Sequence, residues 1–436
     1  MLKKLFKKIF FILFLIGHLP VHALEEMSIE QFVQNAKKAN LNLQYILHQK
    51  NQLAYLKDLN LEDSKIILSA TAAKSFIDQT QKNSDNLKFG LTQEYQPLGF
   101  AWSLEVEKTN LKQNDTSYIA KITQQLLYNS FGSLHKIQNQ KQDLKADILK
   151  LNLSEFYEDY LTTLMHYFYD YYETYINYET AKQNLAESKR LLEDINKRFR
   201  ANIALENDVA LIKVQVLESE SAQDKALLAF VNHKFLLENE IGISNFKHKL
   251  PSLNIDIKAE LADIKKIIKN SRTASLYELQ NDQAACDITY YENIILPKFN
   301  IFATRTDNDT ALGLAYQMNF GAKAEPAKLK EAQYNLAHTK QENVLQKKSL
   351  YLSLINLKNQ FDYLKTQINK YETMYHLYES IVKTEENDYH IGKEQLEQLV
   401  RAINKKNQYK QKINTLLVQK QKVYLEWLRL TDSLVK

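Results

Sequence analysis

The sequence predicts a mainly α-helical protein with a smaller β part, built by internal duplication of a long-helix unit. The first observation is an apolar heptad seam over 160–199, where apolar residues recur at alternating steps of four and three. This spacing is typical of a coiled-coil helix. The second observation is that the seam recurs 190 residues later, over 350–389. Two long seams at one fixed offset indicate two copies of one unit.

Both seams are apolar along most of their length. The second seam contains one charged residue, Glu385, at the position that Ile195 occupies in the first. A further apolar set flanks the first seam, which indicates that this helix contacts two neighbouring helices. The seams are Tyr160, Leu164, Tyr167, Tyr171, Thr174, Tyr178, Ala181, Leu185, Ser188, Leu192, Ile195 and Phe199, and Leu350, Leu354, Leu357, Phe361, Leu364, Ile368, Tyr371, Tyr375, Tyr378, Val382, Glu385 and Tyr389; the flanking set is Tyr157, Leu161, Met165, Phe168, Tyr172 and Tyr175.

Residues 1–23 have the features of a secretory signal peptide. Four lysines precede the apolar run Ile9–Ile16, and Val21 and Ala23 supply the small residues of a cleavage site. This run is too short to span a membrane, which takes roughly 20 apolar residues. We therefore expect a cleaved leader, and the alternative is a short N-terminal membrane anchor.

The composition excludes several classes of protein. Cys286 is the only cysteine, so there is no disulfide framework and no cysteine after the leader to carry a lipid. The formal net charge of +5 includes four leader lysines, and the near-neutral remainder is not typical of a nucleic-acid-binding protein. The ten histidines show no metal-binding spacing, and no phosphate-binding glycine loop occurs. We therefore expect no enzyme, no cofactor and no metal site.

A first repeat is predicted over 24–242. Its periodicity indicates a helix over 28–64, strands within 65–127, a long helix over 133–200 and a return helix over 205–241. The strand segments alternate apolar and polar residues, a pattern typical of a soluble half-buried sheet and equally of a membrane-spanning sheet. Because these segments lie between long helices with no other core to cover, the membrane interpretation is favoured. Residues 243–259 are expected to form a linker.

A second repeat is predicted over 260–436. It comprises a helix over 260–293, strands over 298–306 and 311–320, a long helix over 326–390 and a return helix over 394–430. The last strand gives the clearest lipid-facing pattern, because apolar residues on one side alternate with small or amide residues on the other. We expect its lipid-facing residues to be Leu312, Leu314, Tyr316 and Met318.

Several local sequences resemble those of the TolC-like outer-membrane efflux family, the outer membrane factors. Arg198–Asn202 followed by Asp208-Val209 is similar to the family's Arg-Tyr-x-x-Gly turn and the Asp-Leu/Val pair after it, and Asp388–Gly392 resembles the second copy. Ile295–Phe299 resembles the family's entry into a strand, and Asn129–Gly132 its exit from the strands into a helix. The resemblance covers the whole chain after the leader.

The sequence also departs from the family pattern. Asn202 replaces the expected glycine, Asp388 stands where the family has arginine, and Lys65 takes the place of a proline. The first repeat offers four strand-like runs where the family's unit has two. The sequence therefore leaves open whether each chain contributes four or six strands.

The resemblance implies a homotrimer in the bacterial outer membrane that extends into the periplasm. Three chains would share one transmembrane β-barrel above one α-helical barrel. The helical turns would form a periplasmic entrance that meets an adaptor protein bound to an inner-membrane pump. The implied function is a passive conduit of a tripartite efflux or type I secretion system, with outer-membrane lipid as a further partner and with its cargo left open.

Two groups of candidate residues follow from this arrangement. Three copies of Glu385, one from each chain, would form an acidic ring at the entrance, and Glu386 or Asp388 could have the same role. The alternative is that Glu385 is a solvated residue near the end of a helix. Arg198 and Asp208 flank the first turn and are expected to pair with each other or to contact the adaptor. The expected turn and adaptor-contact residues are Arg198, Phe199, Asn202, Asp208, Tyr389 and Gly392.

Two rival interpretations have no pore. A periplasmic adaptor protein also uses a long helical hairpin, but the duplication and the scarcity of glycine argue against it. A periplasmic coiled-coil scaffold would have soluble sheets in place of a membrane-spanning one.

Overall fold

The computed structural model describes residues 26–27, 29–56, 66–76, 83–109, 116–242, 247–248, 256–257, 261–318, 323–393 and 395–434. The predicted leader, Lys65 and most of the predicted linker lie outside these residues. The described helices are α1 (Ile29–Ala39), α2 (Leu41–Leu56), α3 (Ser133–Arg200), α4 (Glu206–Ile241), α5 (Leu261–Lys269), α6 (Arg272–Ile295), α7 (Ala324–His390) and α8 (Leu396–Leu430). The described strands are β1 (Glu26–Met27), β2 (Ile66–Phe76), β3 (Asn83–Tyr95), β4 (Phe100–Thr109), β5 (Thr116–Gln125), β6 (Lys247–His248), β7 (Lys298–Arg305) and β8 (Thr310–Gln317).

The chain divides into two compact units. The first contains Met1–Ile46, Phe156–Asp263 and Leu352–Lys436, and the second contains Leu47–Glu155 and Ile264–Tyr351. Helices α3 and α7 each contribute residues to both units. None of the described helices has a stretch long and apolar enough to cross a membrane.

The first unit is built from long helices that bury the two seams. Leu164, Tyr171 and Ile195 of α3 and Leu354 and Phe361 of α7 are fully inaccessible to solvent. The flanking set of α3 is also largely buried, because α3 contacts α4 on one side and α8 on another. The α3–α4 contacts include the stacked rings of Tyr178 and Phe230, and the α3–α8 contacts are made by Tyr169, Tyr172, Val418 and Leu425.

Ionic contacts accompany the packing of α3 against α8. Lys406 of α8 lies 2.8 Å from the Glu187 carboxylate of α3. The His166 ring hydrogen-bonds the Glu426 carboxylate at 3.0 Å and, together with Arg429, lowers the pKa of that carboxyl. Opposite charges at partly buried positions thus fix which faces of the two helices meet.

The shorter helix that starts each repeat is interrupted. Residues 28 and 57–64 of the helix expected over 28–64 lie outside the described residues. Its described part is two helices, because the buried side-chain oxygen of Asn40 accepts from the Leu43 backbone N–H at 3.1 Å and starts α2. The helix expected over 260–293 is likewise divided, since the Ser271 hydroxyl caps α6 by accepting from the Ala274 N–H at 3.1 Å. Both breaks use a short polar side chain as an N-cap.

The second unit contains a six-stranded antiparallel sheet. Its strand order is β2-β3-β4-β5-β7-β8, so both repeats contribute to one sheet. The described residues therefore contain six strands per chain in this sheet. Strands β1 and β6 form a separate parallel pair in the first unit.

A tight junction joins the sheet to α3. Asn129 is buried, its side-chain oxygen accepts from the Leu134 N–H at 3.0 Å, and its amide group donates to Gln96 at 3.3 Å. Gly132 has a positive φ of 78°, and a Cβ there would lie 2.1 Å from the Pro97 carbonyl oxygen. The turn between β3 and β4 therefore packs directly on the start of α3.

We predict that Gly132→Ala is more destabilising than Gly392→Ala. Both glycines have positive φ, so each alanine costs about 1–2 kcal/mol for its backbone conformation. At Gly132 the Cβ must also displace the Pro97 backbone, which adds about 1–3 kcal/mol, whereas nothing lies within 4 Å of a Cβ at Gly392. Thermal unfolding of the two variants measures the difference; equal losses would contradict the packing described at the junction.

Candidate functional sites: an apolar sheet face and the helical turns

One face of the six-stranded sheet is apolar across all its strands. The pairing register places Leu68, Leu91 and Leu104 side by side on β2, β3 and β4, and places Ile122, Ala303 and Leu312 side by side on β5, β7 and β8. Because directly paired residues point to the same side of a sheet, these rows form one continuous surface. We call this surface the apolar face; its members are Leu68, Ala70, Ala72, Leu87, Phe89, Leu91, Trp102, Leu104, Val106, Tyr118, Ala120, Ile122, Ile301, Ala303, Leu312, Leu314 and Tyr316.

Most of the large side chains of the apolar face are exposed. The exposed fraction is 74% for Leu68, 49% for Leu104, 50% for Ile122 and 81% for Leu312. An exposed apolar surface of this extent is typical of a site that contacts a membrane or another protein. Aromatic pairs lie at one margin, where Tyr95 pairs with Phe100 and Phe299 with Tyr316.

The opposite face of the sheet is mainly polar. Lys88 of β3 lies 2.7 Å from the Glu105 carboxylate of β4, and Asn86 donates to Glu107 at 2.6 Å. Near the other edge, the Phe302 ring covers Gly313, where a Cβ would come within 2.4 Å of the ring. The two faces of the sheet therefore suit an apolar and an aqueous environment, respectively.

The predicted lipid-facing residues lie on or beside the apolar face. Leu312, Leu314 and Tyr316 belong to it, and all three are more than half exposed. Met318 follows the end of β8, and its sulfur lies 3.2 Å from the Tyr316 hydroxyl. The members of the apolar face on β2–β5 and on β7 are absent from the predicted set, although their alternating pattern is visible in the sequence.

The two long hairpins turn at equivalent positions of the two repeats. Asn202 lies just after the end of α3 and has a positive φ of 57°, and the Ile203 N–H bonds back to the Arg198 carbonyl at 2.9 Å. Gly392 lies just after the end of α7 and has a φ of 74°, and the Lys393 N–H bonds back to the Asp388 carbonyl at 2.8 Å. In both turns, a residue in the left-handed backbone conformation thus allows the following N–H groups to hydrogen-bond the last carbonyl groups of a long helix.

Arg198 joins the two turns to each other. Its guanidinium lies 5.0 Å from the centre of the Tyr389 ring and hydrogen-bonds Nδ1 of His390. It also pairs with Asp194, one helical turn earlier, at 3.4 Å. The expected pairing of Arg198 with Asp208 is therefore corrected, because Asp208 accepts from the Leu205 N–H at 3.1 Å and caps its own helix.

A buried apolar cluster supports both turns. Ile195 and Ile212 from the first hairpin pack with Tyr389, Leu396 and Leu399 from the second. Burial, with Asp208 as a further contributor, raises the pKa of the Tyr389 hydroxyl. Tyr389 is therefore a neutral part of the core at physiological pH.

The surface of the turns also carries exposed apolar residues. Phe199 is 43% exposed, Ile391 64%, and Ile203 and Leu205 71% each. Sequence reasoning included Phe199 but missed the other three, although their apolar character within polar turns is a readable signal. A cleft of about 760 Å³ lies between the turns, lined by Arg198, Ile203, Leu205, Tyr389 and Ile391 among others.

The three acidic candidates have different surroundings. Glu385 is partly buried, and its Oε2 atom is shielded from solvent and has no hydrogen-bond partner among the described residues. Glu386 lies 3.5 Å from Arg190 of α3, and Asp388 is partly buried next to the turn. The described residues contain no group of side chains suited to hold a metal ion.

Comparison with solved structures identifies the fold. CusC, whose structures concern transmembrane channel formation, aligns over 94% of this chain and 92% of its own, with a TM-score of 0.73 and 10% identity. The outer membrane protein VceC of Vibrio cholerae aligns over 92% and 95%, with a TM-score of 0.69 and 11% identity. The chain has the fold of outer-membrane channel proteins.

A further structure agrees with this assignment. The CmeC outer membrane channel of Campylobacter jejuni covers 93% of the chain with a TM-score of 0.69 and 11% identity. No protein-family model matches the sequence, and no curated protein matches it. The fold expected from the resemblance to the TolC-like family is thus confirmed, at 10–11% sequence identity to these structures.

Proposed function

We propose that the protein is the outer-membrane channel of a tripartite efflux or type I secretion system. In this role it is a passive conduit across the outer membrane and periplasm. The observation that carries the proposal is the apolar face, which continues in register across six strands and is exposed. The channel fold of the structural neighbours supports the same role.

The chemistry of the sheet suits a membrane wall. Leaving the apolar face in water is unfavourable by about 25 cal/mol for each Å² of apolar surface, and lipid acyl chains remove this cost. The aromatic pairs at one margin resemble the aromatic girdles of membrane-spanning strands. The polar face, with its Lys88–Glu105 ion pair, would then line an aqueous interior.

The outer helices of the first unit suit contact with further copies of the chain. Helices α4 and α7 each pack on a neighbouring helix of the same chain, α4 on α3 and α7 on α8, and each also has exposed apolar side chains. Both helices expose apolar residues at heptad-related spacings. These residues, each at least half exposed, are Val214, Leu217, Leu228, Val231 and Phe235 on α4 and Leu352, Tyr363 and Leu377 on α7.

Association of these stripes between copies would build an α-helical barrel. Burial of each large apolar side chain contributes about 1.5–3 kcal/mol. Because the two stripes lie on different helices, the contact would be head-to-tail, and such a contact forms a ring when the rotation between neighbouring copies closes. We propose a homotrimer, the assembly that the resemblance implies.

The helical turns are proposed as the periplasmic entrance. The exposed apolar residues Phe199, Ile203, Leu205 and Ile391 offer a contact surface for an adaptor protein bound to an inner-membrane pump. Arg198, Asn202, Asp208, Tyr389 and Gly392 hold the two turns in shape beneath this surface. The pump would supply the energy, since the chain itself is proposed to be passive.

We predict that Leu314→Lys prevents stable membrane insertion and that Ala315→Lys does not. Leu314 lies on the apolar face and Ala315 on the polar face of the same strand. A lysine that faces lipid costs about 2–4 kcal/mol at the bilayer midplane, whereas a lysine that faces the interior remains hydrated. The measurement is the fraction of each variant in the carbonate-washed outer membrane.

The same experiment separates the channel from the rival interpretations. A periplasmic scaffold or adaptor without a pore would place the unmodified chain in the soluble periplasmic fraction. In that case the two lysine variants would also behave alike, and the proposal would be wrong.

We further predict that Glu385→Gln lowers the preference of the channel for cations. We propose that Glu385, Glu386 and Asp388 of three copies form an acidic ring at the entrance, which attracts cations. The partly buried position of Glu385 supports a role inside the assembly. The reversal potential in a salt gradient across a planar bilayer measures the change.

Glu372→Gln is the matched control, since it removes the same charge from an exposed position of α7. If both variants shift the reversal potential equally, or neither does, Glu385 does not form the ring.

A further inference from the structure

The six-stranded sheet ends in two strands that are paired on one side only. Among the described residues, β2 pairs with β3, β8 pairs with β7, and neither has a second neighbour. Each edge therefore presents unpaired backbone N–H and C=O groups. In water such groups bind solvent, but within a membrane each unsatisfied group costs several kcal/mol.

The apolar face reaches both edges. On β2 it includes Leu68, and on β8 it includes Leu312 and Leu314, which are 74%, 81% and 64% exposed. The hairpin of β2 and β3 belongs to the same wall as the other strands, because β2 pairs with β3 over Ile66–Phe76 and β3 pairs with β4 over Asn86–Tyr95. If the apolar face contacts lipid, both edges lie in the membrane and both need a partner.

The two edges are complementary in direction. Each of the five pairings in the sheet is antiparallel, so β2 and β8 run in opposite directions. When a second copy is related to the first by rotation about a membrane-normal axis, its β2 lies antiparallel to the β8 of the first. This is the arrangement that continues the sheet without a change of hydrogen-bonding pattern.

A single chain cannot satisfy its own edges. Barrels of about eight strands have an interior just wide enough to be filled by side chains, so six strands are too few to enclose a conduit. We propose that β2 of each copy pairs with β8 of the next, which gives three copies one closed wall of eighteen strands. This inference rests on the proposed function and specifies its β-barrel.

An eighteen-stranded wall has a functional consequence. Barrels of 16–18 strands leave an aqueous channel, whereas smaller barrels are filled. The polar face, with Lys88, Glu105 and Glu107, would line this channel. The membrane-spanning part is then wide enough for a water-filled channel.

A rival closure would use twelve strands. In it, β4 pairs with the next copy and the β2–β3 hairpin lies outside the wall. The structure argues against this closure, because β3 is paired with β4 along the full length of β4, on the edge that the next copy would need. Strand β3 also carries Phe89 and Leu91 of the apolar face.

Intermolecular disulfide formation in isolated outer membranes tests the proposal. In a Cys286→Ala background, one cysteine replaces Leu68, Ala70 or Ala72 on β2 and a second replaces Leu312, Leu314 or Tyr316 on β8. All six positions belong to the apolar face, and the scan covers the registers that the two strands can adopt. A disulfide requires Cα atoms about 4.4–6.8 Å apart, whereas the two edges of one flat sheet lie five strand spacings, about 24 Å, apart.

The proposal expects covalent dimers and trimers on a denaturing gel for at least one pair. Ala70→Cys with Phe89→Cys is the matched control, because these residues are partners within one chain and should give only an internally linked monomer. A second set of pairs joins Leu104→Cys on β4 to the same β8 positions, and the proposal expects no product from it.

Three results would overturn the proposal. Intermolecular products from β4 but not from β2 would establish the twelve-stranded closure and leave the channel function intact. Internally linked monomers from the β2–β8 pairs would show that a single chain closes by itself. Absence of the chain from the outer membrane would refute the proposed function together with the inference.

Discussion

The structure depends on one constraint: a six-stranded sheet has an apolar face that the described parts of its own chain leave exposed. Leu68, Leu91 and Leu104 align across three strands, and Ile122, Ala303 and Leu312 continue the surface to the far edge. In a soluble protein such a face is covered by a second layer. Here the other apolar residues lie in the helical seams, where they pack helices against one another. The apolar face of the sheet therefore needs an apolar environment outside the chain.

The helices place their apolar side chains differently from the sheet. The two longest helices, α3 and α7, each bury a seam within the chain, whereas the apolar stripes on α4 and α7 are exposed. The two turns are tied together by Arg198, which stacks on Tyr389 and bonds His390 of the other repeat. Arg198 thus connects the two repeats of the chain at their turns, where the side chains of the two repeats differ.

Much of this architecture was predictable from the sequence. The expected range of the first long helix, 133–200, has the same bounds as α3, because a long seam and the strand-to-helix motif at Asn129–Gly132 mark its start. The alternating segments likewise indicated the strands. Six local patterns, however, do not determine which strands pair, because strand register depends on contacts between residues distant in the sequence.

The failures have physical causes. The breaks at Asn40 and Ser271 were missed because a single polar residue on a helix surface looks the same whether it caps a helix or lies in solvent. Asp208 was a plausible partner for Arg198 because it is near in sequence and opposite in charge. The actual partners, Tyr389 and His390, lie in the other repeat and become neighbours only after folding.

The central claim is that the apolar face contacts lipid, and Trp102 reports on it directly. The chain has two tryptophans, so Trp427→Phe leaves Trp102, on the apolar face, as the only one. In bilayers whose acyl chains carry bromine, we expect strong quenching of Trp102 fluorescence. The reciprocal variant Trp102→Phe, which retains the buried Trp427, should show little quenching. Equal Trp102 fluorescence in brominated and unbrominated bilayers would contradict the account.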